Sequence, residues 1–235
     1  LAFKRIPYRY LLAALLLYLL VLIPFSMSPL LSVVKTAYLI LAVLLVYILE
    51  REPVPFQTSA LAFVLGAATS GLLGIWQFVS QYSFASSWLG LAAHDPSMLG
   101  TAVVEAAAPD GIIERWLRAY GSLDHPNMFG GFMAIALIIA AWLWLNRAKD
   151  TTKATSVIAI LCTVILTAAL VVSFSRGAWI AAGIGLLISV PVFYLKNCSK
   201  HLEVAALVGS IVLVVALIAS QYGYLFATRF DASSR

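Results

Sequence analysis

The stretch Ser173-Phe174-Ser175-Arg176-Gly177-Ala178-Trp179 joins two long apolar segments, residues 154–174 and 177–195. It places a guanidinium where the chain leaves one predicted membrane helix and enters the next. An arginine costs about 2.5–3.5 kcal/mol at the centre of a membrane helix, and less near the interface. A guanidinium binds phosphate through a rigid fork of donors, and the small residues Ser175 and Gly177 let a bulky ligand approach. The stretch therefore predicts either a phosphate-binding site at a membrane surface or an arginine that only anchors a helix end.

The composition is that of an integral membrane protein. The chain is 63% hydrophobic and only 11% charged, whereas a soluble domain carries about 25% charged residues. We predict an all-α fold in which residues 1–235 form a single membrane domain, a polytopic transmembrane bundle of about seven spans. The predicted spans are 10–25, 30–49, 58–80, 127–146, 154–174, 177–195 and 203–222. His94, His125 and His201 lack the spacing of metal ligands, so we predict no metal site and no cofactor.

The distribution of Lys and Arg predicts the orientation. With the N-terminus inside, most of these residues fall on the cytoplasmic side, as the positive-inside rule requires. The outer face then carries the loop 81–126 and the tail 223–235. The arginines on that face are Arg115, Arg118, Arg176, Arg229 and Arg235. Because outer arginines oppose the usual bias, they favour a functional role, and the net charge of +5 requires no nucleic-acid partner.

Within the outer loop, the segment 112–120 has apolar residues at helical spacing, so we predict a surface helix there. Its Arg115 and Arg118 are either solvated or part of a site for a lipid phosphate or a glycan. Further along, Asp124 or His125 is a candidate helix N-cap before Pro126.

The start of the fourth predicted span is a second candidate site. A helix N-terminus there, with its free N–H groups, would face an anionic ligand, and His125 would add a donor or a titrating group. Lys35 lies inside an apolar span. It either snorkels to the outer surface or closes the inner wall of an anion pocket.

Taken together and in this order, these motifs resemble the bacterial O-antigen ligase and O-antigen polymerase family. The motifs that carry the resemblance are Gly121…His125-Pro126-Asn127…Gly130 before a span, Ser175-Arg176-Gly177-Ala178-Trp179, Thr228-Arg229-Phe230…Arg235 after two more spans, and Lys35 after Phe25-Ser26-Met27-Ser28-Pro29. The resemblance covers most of the chain. Each motif is short, and the ordered set carries the specificity.

The resemblance implies a GT-C-type membrane glycosyltransferase of the bacterial inner membrane whose active face is periplasmic. Such enzymes move a glycan from an undecaprenyl-diphosphate carrier to lipid A-core, to a carrier-linked repeat or to protein, without a metal. It implies that Arg176 holds the donor diphosphate and that Arg235, or else Arg229, is the second such arginine. The candidate substrate-binding residues are therefore Arg176, Arg235, Arg229, Lys35, His125 and Asn127.

The catalytic base stays unassigned. The resemblance implies a large periplasmic loop that begins near Arg229 and carries the acceptor-activating histidine, but the sequence ends at Arg235. We therefore expect the base downstream of Arg235, and expect these residues alone to form an inactive fragment. The alternative function is a transporter or flippase for a lipid-linked glycan. Transporters tend to have internal repeats and midplane sites, and the sequence has no visible repeat. A non-catalytic scaffold would leave the outer arginines unexplained.

Overall fold

The computed structural model describes residues 8–51, 54–86, 91–107, 113–146, 153–196 and 200–230. The described residues form seven α-helices and a two-stranded hairpin. The helices are α1 Tyr8–Leu22, α2 Pro29–Arg51, α3 Phe56–Ser80, α4 Pro126–Leu145, α5 Lys153–Val172, α6 Arg176–Lys196 and α7 His201–Phe230, and the strands are β1 Val103–Ala107 and β2 Ile113–Leu117. The prediction of a mostly helical membrane protein is confirmed, with the hairpin as an addition to it.

Among the described residues, five helices are long and apolar enough to cross a membrane: α2, α3, α4, α6 and α7. The apolar parts of the other two, Tyr10–Phe25 and Val157–Val172, are shorter. Many side chains of α6 and α7 are apolar yet exposed, for example Leu187 and Leu202. Such surfaces are typical of helices that face lipid, since lipid rather than protein then covers them.

The chain divides into two compact units, residues 1–55 and 56–235. In the first unit, α1 and α2 are joined by a 3-10 turn, Ile23–Phe25. Pro24 and Pro29 explain this break, because neither can donate the hydrogen bond that would continue α1.

In the second unit α4 is the central helix and packs against α3, α5 and α6. The core around α4 includes Phe129, Met133, Leu137 and Leu166, which are fully buried. Many of the other core positions are alanines, which let the helix backbones approach closely.

The predicted surface helix at 112–120 is wrong, because residues 113–117 form β2. Strand β2 pairs antiparallel with β1, so that Glu105 lies opposite Arg115 and their side chains form an ion pair with 3.0 Å between Oε1 and Nε. β-Branched residues such as Val103, Val104 and Ile113 favour strands. In so short a segment, apolar residues fit a helical and a strand period about equally well, and the pairing partner decides between them.

Helix α7 continues to Phe230, through residues 223–230 that were predicted to belong to an outer tail. At Tyr222 the backbone leaves the helical region (φ −118°, ψ 23°), which marks a kink where the predicted span ends. The Tyr222 ring packs against Trp116 and Phe78, and the Tyr224 hydroxyl donates to Oε2 of Glu114 over 3.4 Å. The hairpin thus packs against the last part of α7.

Three segments that the charge distribution assigns to one membrane face therefore contact one another: the hairpin region, the turn before α6 and the end of α7.

The predicted orientation of the chain in the membrane leads to a labelling prediction. A cysteine introduced at Leu99, which is almost fully exposed, should react with a membrane-impermeant maleimide added to the face that the charge distribution predicts to be outside. Cys198, in the connection between α6 and α7, should be spared, and Cys162 is buried. The reverse pattern of labelling would contradict the predicted orientation.

Candidate functional site

The turn between α5 and α6 is the centre of the candidate site. Ser173 and Phe174 end the α5 hydrogen-bond pattern, and α6 begins at Arg176. Phe174 has a φ of 49°, in the left-handed region that residues with a side chain rarely adopt. Its ring is buried against Phe78 and Phe226, so aromatic packing holds the strained turn in place.

A cavity of about 510 Å³ opens beside this turn. It is lined by Arg118, Asn127, Gly131, Phe174, Ser175, Arg176, Gly177, Ala178 and Ala181. Arg176 is the first residue of α6 and Asn127 is the second residue of α4, so two helix N-termini meet at the cavity. Helix N-termini and guanidinium groups both favour a bound anion, and phosphate accepts hydrogen bonds from both.

Arg118 is part of the cavity wall and is not a solvated surface residue. It is only 6% exposed. Its Nε donates to the carbonyl oxygen of Ser173 over 2.9 Å, and its Nη2 donates to Phe174 O over 3.2 Å and to Oδ1 of Asn127 over 2.6 Å. These bonds stabilise a guanidinium that would be costly to bury without acceptors.

Gly130 lets α4 pass directly beside the turn. A Cβ at this position would lie 2.7 Å from Oγ of Ser173, 2.8 Å from Cβ of Ser175 and 3.1 Å from Cβ of Ala178. Distances under 3.0 Å are not tolerated without a shift of the backbone or of the neighbours. A glycine is therefore required for α4 and the Arg176 turn to form the two sides of one cavity.

His125 caps α4. Its Nδ1 accepts a hydrogen bond of 3.1 Å from the backbone N–H of Asn127, and Pro126 takes the first helical position. Of the two candidate caps, the structure thus favours His125 over Asp124. His125 does not line the cavity, so its geometry fits a cap that orients Asn127.

The turn before α4 is organised by buried Gln77. Its Oε1 accepts from the backbone N–H groups of Tyr120 and Gly121, and its Nε2 donates to Gly121 O. Gly121 has a φ of 58°, and a Cβ there would collide with the ring of Phe129. This turn links Arg118 to α4 in a fixed geometry.

A second, much smaller cavity of about 70 Å³ lies beside Gln77 and is lined in part by His94, Tyr120 and Asp124. The His94 ring stacks on the Tyr120 ring with 3.8 Å between centroids. Burial lowers the pKa of His94, and the Asp124 carboxylate opposes that effect. The neutral form of His94 is therefore favoured near pH 7. With a volume of about 70 Å³, the cavity is too small for a glycan or a diphosphate.

The structure brings some of the predicted site residues together, but not all of them. Arg176 and Asn127 line one cavity, as a shared anion site requires. Lys35 is exposed on α2 in the first unit, whereas the residues that line the cavity belong to the second. Arg229 belongs to α7, and Arg235 lies outside the described residues. The sequence left the role of Arg118 open. No local signal in the sequence marks that role, because its acceptors Ser173 O and Phe174 O lie 55 and 56 residues further along the chain.

Comparison of the chain with profiles of protein families, with curated proteins and with solved structures finds no match. Among the described residues, no three His, Cys, Asp or Glu side chains form a group that could hold a metal ion.

Proposed function

We propose that this protein is a membrane glycosyltransferase that takes a glycan from an undecaprenyl-diphosphate carrier, and that the cavity beside Arg176 binds the diphosphate. The observation that carries the proposal is the convergence of Arg118, Arg176 and two helix N-termini on one cavity. Its volume of about 510 Å³ lies within the range of about 300–1,000 Å³ typical of ligand pockets. The motif resemblance to the O-antigen ligase and polymerase family agrees with the proposal, since Arg176 and Asn127 belong to the motifs that carry it.

The chemistry of glycosyl transfer fits these residues. As the bond between the sugar and the carrier breaks, negative charge develops on the leaving diphosphate. Cationic groups that are already in place stabilise such charge electrostatically. Arg176 is suited to this role because its guanidinium lies at the start of α6, where the helix dipole also favours an anion. The acceptor hydroxyl also requires a general base, which we do not assign to a residue.

The position of the charges favours transfer over transport. The cavity lies at the ends of α4 and α6, where Asn127 and Arg176 are near the first residue of their helices. A transporter is expected to hold its substrate near the middle of the membrane, between broken helices. A site at the helix ends suits a reaction at the membrane surface.

The test uses the purified protein in lipid nanodiscs. We expect saturable binding of undecaprenyl diphosphate, competition by inorganic pyrophosphate, and no comparable binding of undecaprenol, which has the same chain without phosphate. Equal affinity for undecaprenol would contradict the proposal.

A parallel assay in proteoliposomes should show no movement of a fluorescent lipid-linked glycan between leaflets. Protein-dependent movement would favour the transporter.

A further inference from the structure

We infer that Asn127 donates a hydrogen bond from its side-chain Nδ2 to a phosphoryl oxygen of the bound diphosphate, and that buried Arg118 holds the amide in that orientation. The inference rests on the proposed function, because it assigns a further role within the same cavity. Asn127 is then a ligand-binding residue, and Arg118 is a positioning residue that acts through it.

The orientation of the Asn127 amide follows from the chemistry of its partner. Nη2 of Arg118 lies 2.6 Å from Oδ1 of Asn127. A guanidinium has donors and no acceptor, so the atom that faces it has to be the amide oxygen. Turning the amide over would bring two donors together, with Arg118 buried beside them. The amide nitrogen therefore points away from Arg118.

The amide nitrogen is the donor that Asn127 can offer to a ligand. Its backbone N–H is already bonded to Nδ1 of His125 over 3.1 Å. Within the part of the chain that the structure describes, no hydrogen bond uses Nδ2 of Asn127. The residue is exposed and lines the same cavity as Arg176. The N–H groups of Nδ2 are thus available where an anion would bind.

Arg118 couples the two sides of the cavity. The same guanidinium that orients Asn127 donates to the carbonyl oxygens of Ser173 and Phe174, in the turn that leads into Arg176. The amide of Asn127 and the start of α6 are therefore held in a fixed relation before a ligand arrives. Such preorganisation lowers the entropy cost of binding.

Two substitutions at Asn127, to Asp and to Ala, distinguish this role from a structural one. The two roles predict opposite orders of ligand affinity for these variants. Asn127→Asp keeps an oxygen acceptor for Arg118 and places a negative charge near the α4 N-terminus, where it is favourable for the helix. If Asn127 served only to accept from Arg118 and the anion lay out of its reach, the Asp variant, whose carboxylate pairs with Arg118, should bind better than the Ala variant. If Nδ2 donates to phosphate, the Asp variant should be the worse one, because a carboxylate oxygen then replaces the donor in direct contact with the anion.

The measurement is the affinity for undecaprenyl diphosphate in nanodiscs, together with the thermal stability of each variant. We expect Asn127→Ala to weaken binding about tenfold, the loss of one hydrogen bond to a charged group. We expect Asn127→Asp to weaken it about a hundredfold while its melting temperature stays at or above that of the unmodified protein. Leu99→Asp adds the same charge to the outer loop at an exposed position away from the cavity, and should leave the affinity within about twofold.

A double-mutant cycle tests Arg118. If Arg118 acts through Asn127, Asn127→Ala should cost much less in an Arg118→Lys protein than in the original one, because the amide is no longer oriented. Additive losses would contradict the positioning role. Should Arg118→Lys fail to fold, the order of the two Asn127 variants still decides the assignment of Nδ2.

The outcomes distinguish this inference from the proposed function. No binding of undecaprenyl diphosphate by the unmodified protein would defeat the proposed function. Binding that Arg176→Ala abolishes but Asn127→Asp leaves intact would overturn the inference alone. The probe carries no sugar, so an effect of the Asn127 variants seen only with a glycan-bearing carrier would overturn the assignment to a phosphoryl oxygen.

Discussion

Replacing Arg176 by alanine is expected to abolish glycan transfer in cells whose surface glycan depends on this protein, while the protein still inserts into the membrane. The guanidinium lines the cavity at the N-terminus of α6, where the leaving diphosphate is proposed to gain negative charge. Removing one preorganised donor from such a site typically costs about 10²–10³ in rate. The measurement is the amount of surface glycan, with membrane levels of the protein determined in parallel.

Arg176→Lys should remain impaired by at least about tenfold, because a lysine keeps the charge but cannot bind phosphate through two parallel N–H groups. Arg115→Ala is the matched control. Arg115 is a cation of the hairpin whose side chain pairs with Glu105, and it does not line the cavity. An exposed ion pair of this kind contributes about 0–1 kcal/mol to stability. Full transfer by Arg176→Ala would leave only the anchoring role that the sequence also allowed.

Replacing Gly130 by alanine is expected to destabilise the protein and to weaken binding of undecaprenyl diphosphate. The added methyl group would lie within 2.7–2.8 Å of the Ser173 and Ser175 side chains. Ser173 cannot move away easily, because its Oγ donates to Leu170 O over 2.6 Å. Overpacking of this kind costs about 1–3 kcal/mol. The strain would reach Arg176 directly, since Ser175 is its neighbour in the chain.

Gly131→Ala is the stability control one residue away. A Cβ there meets nothing within 4 Å, and alanine is favoured over glycine in a helix by about 1 kcal/mol. The melting temperature in detergent should therefore fall for Gly130→Ala and stay or rise for Gly131→Ala. For binding, Gly183→Ala in α6 serves as the control, because it also meets nothing and does not line the cavity. Equal stability of the Gly130 and Gly131 variants would refute the close-approach argument.

Most helices of the described residues could be predicted to within a few residues, whereas α7 continues past its predicted end at 222 to Phe230. The predicted spans 127–146 and 177–195, for example, correspond to α4 at Pro126–Leu145 and α6 at Arg176–Lys196. Prediction failed for β2, since the apolar spacing of residues 113–117 fits a helix as well as a strand. The strand forms because β1 pairs with it, and that pairing depends on residues about ten positions away.

Some residues of the candidate site could likewise be predicted from the sequence, and others could not. Arg176 and Asn127 could be singled out from local sequence, since each lies beside a predicted helix start with small or capping residues around it. The role of Arg118 could not, because its acceptors Ser173 O and Phe174 O lie 55 and 56 residues further along the chain. No local pattern encodes a contact over that distance.

The sequence by itself therefore determined the helical membrane class and the placement of Arg176 at a helix junction. Both follow from local physics: apolar runs in lipid have to satisfy their own backbone hydrogen bonds, and a charge costs least near their ends. Only the tertiary structure decided which cations share a cavity and which way the Asn127 amide faces. Those outcomes depend on Gly130 allowing α4 to approach the turn and on Arg118 reaching across to it, and both contacts exist only once the helices have packed.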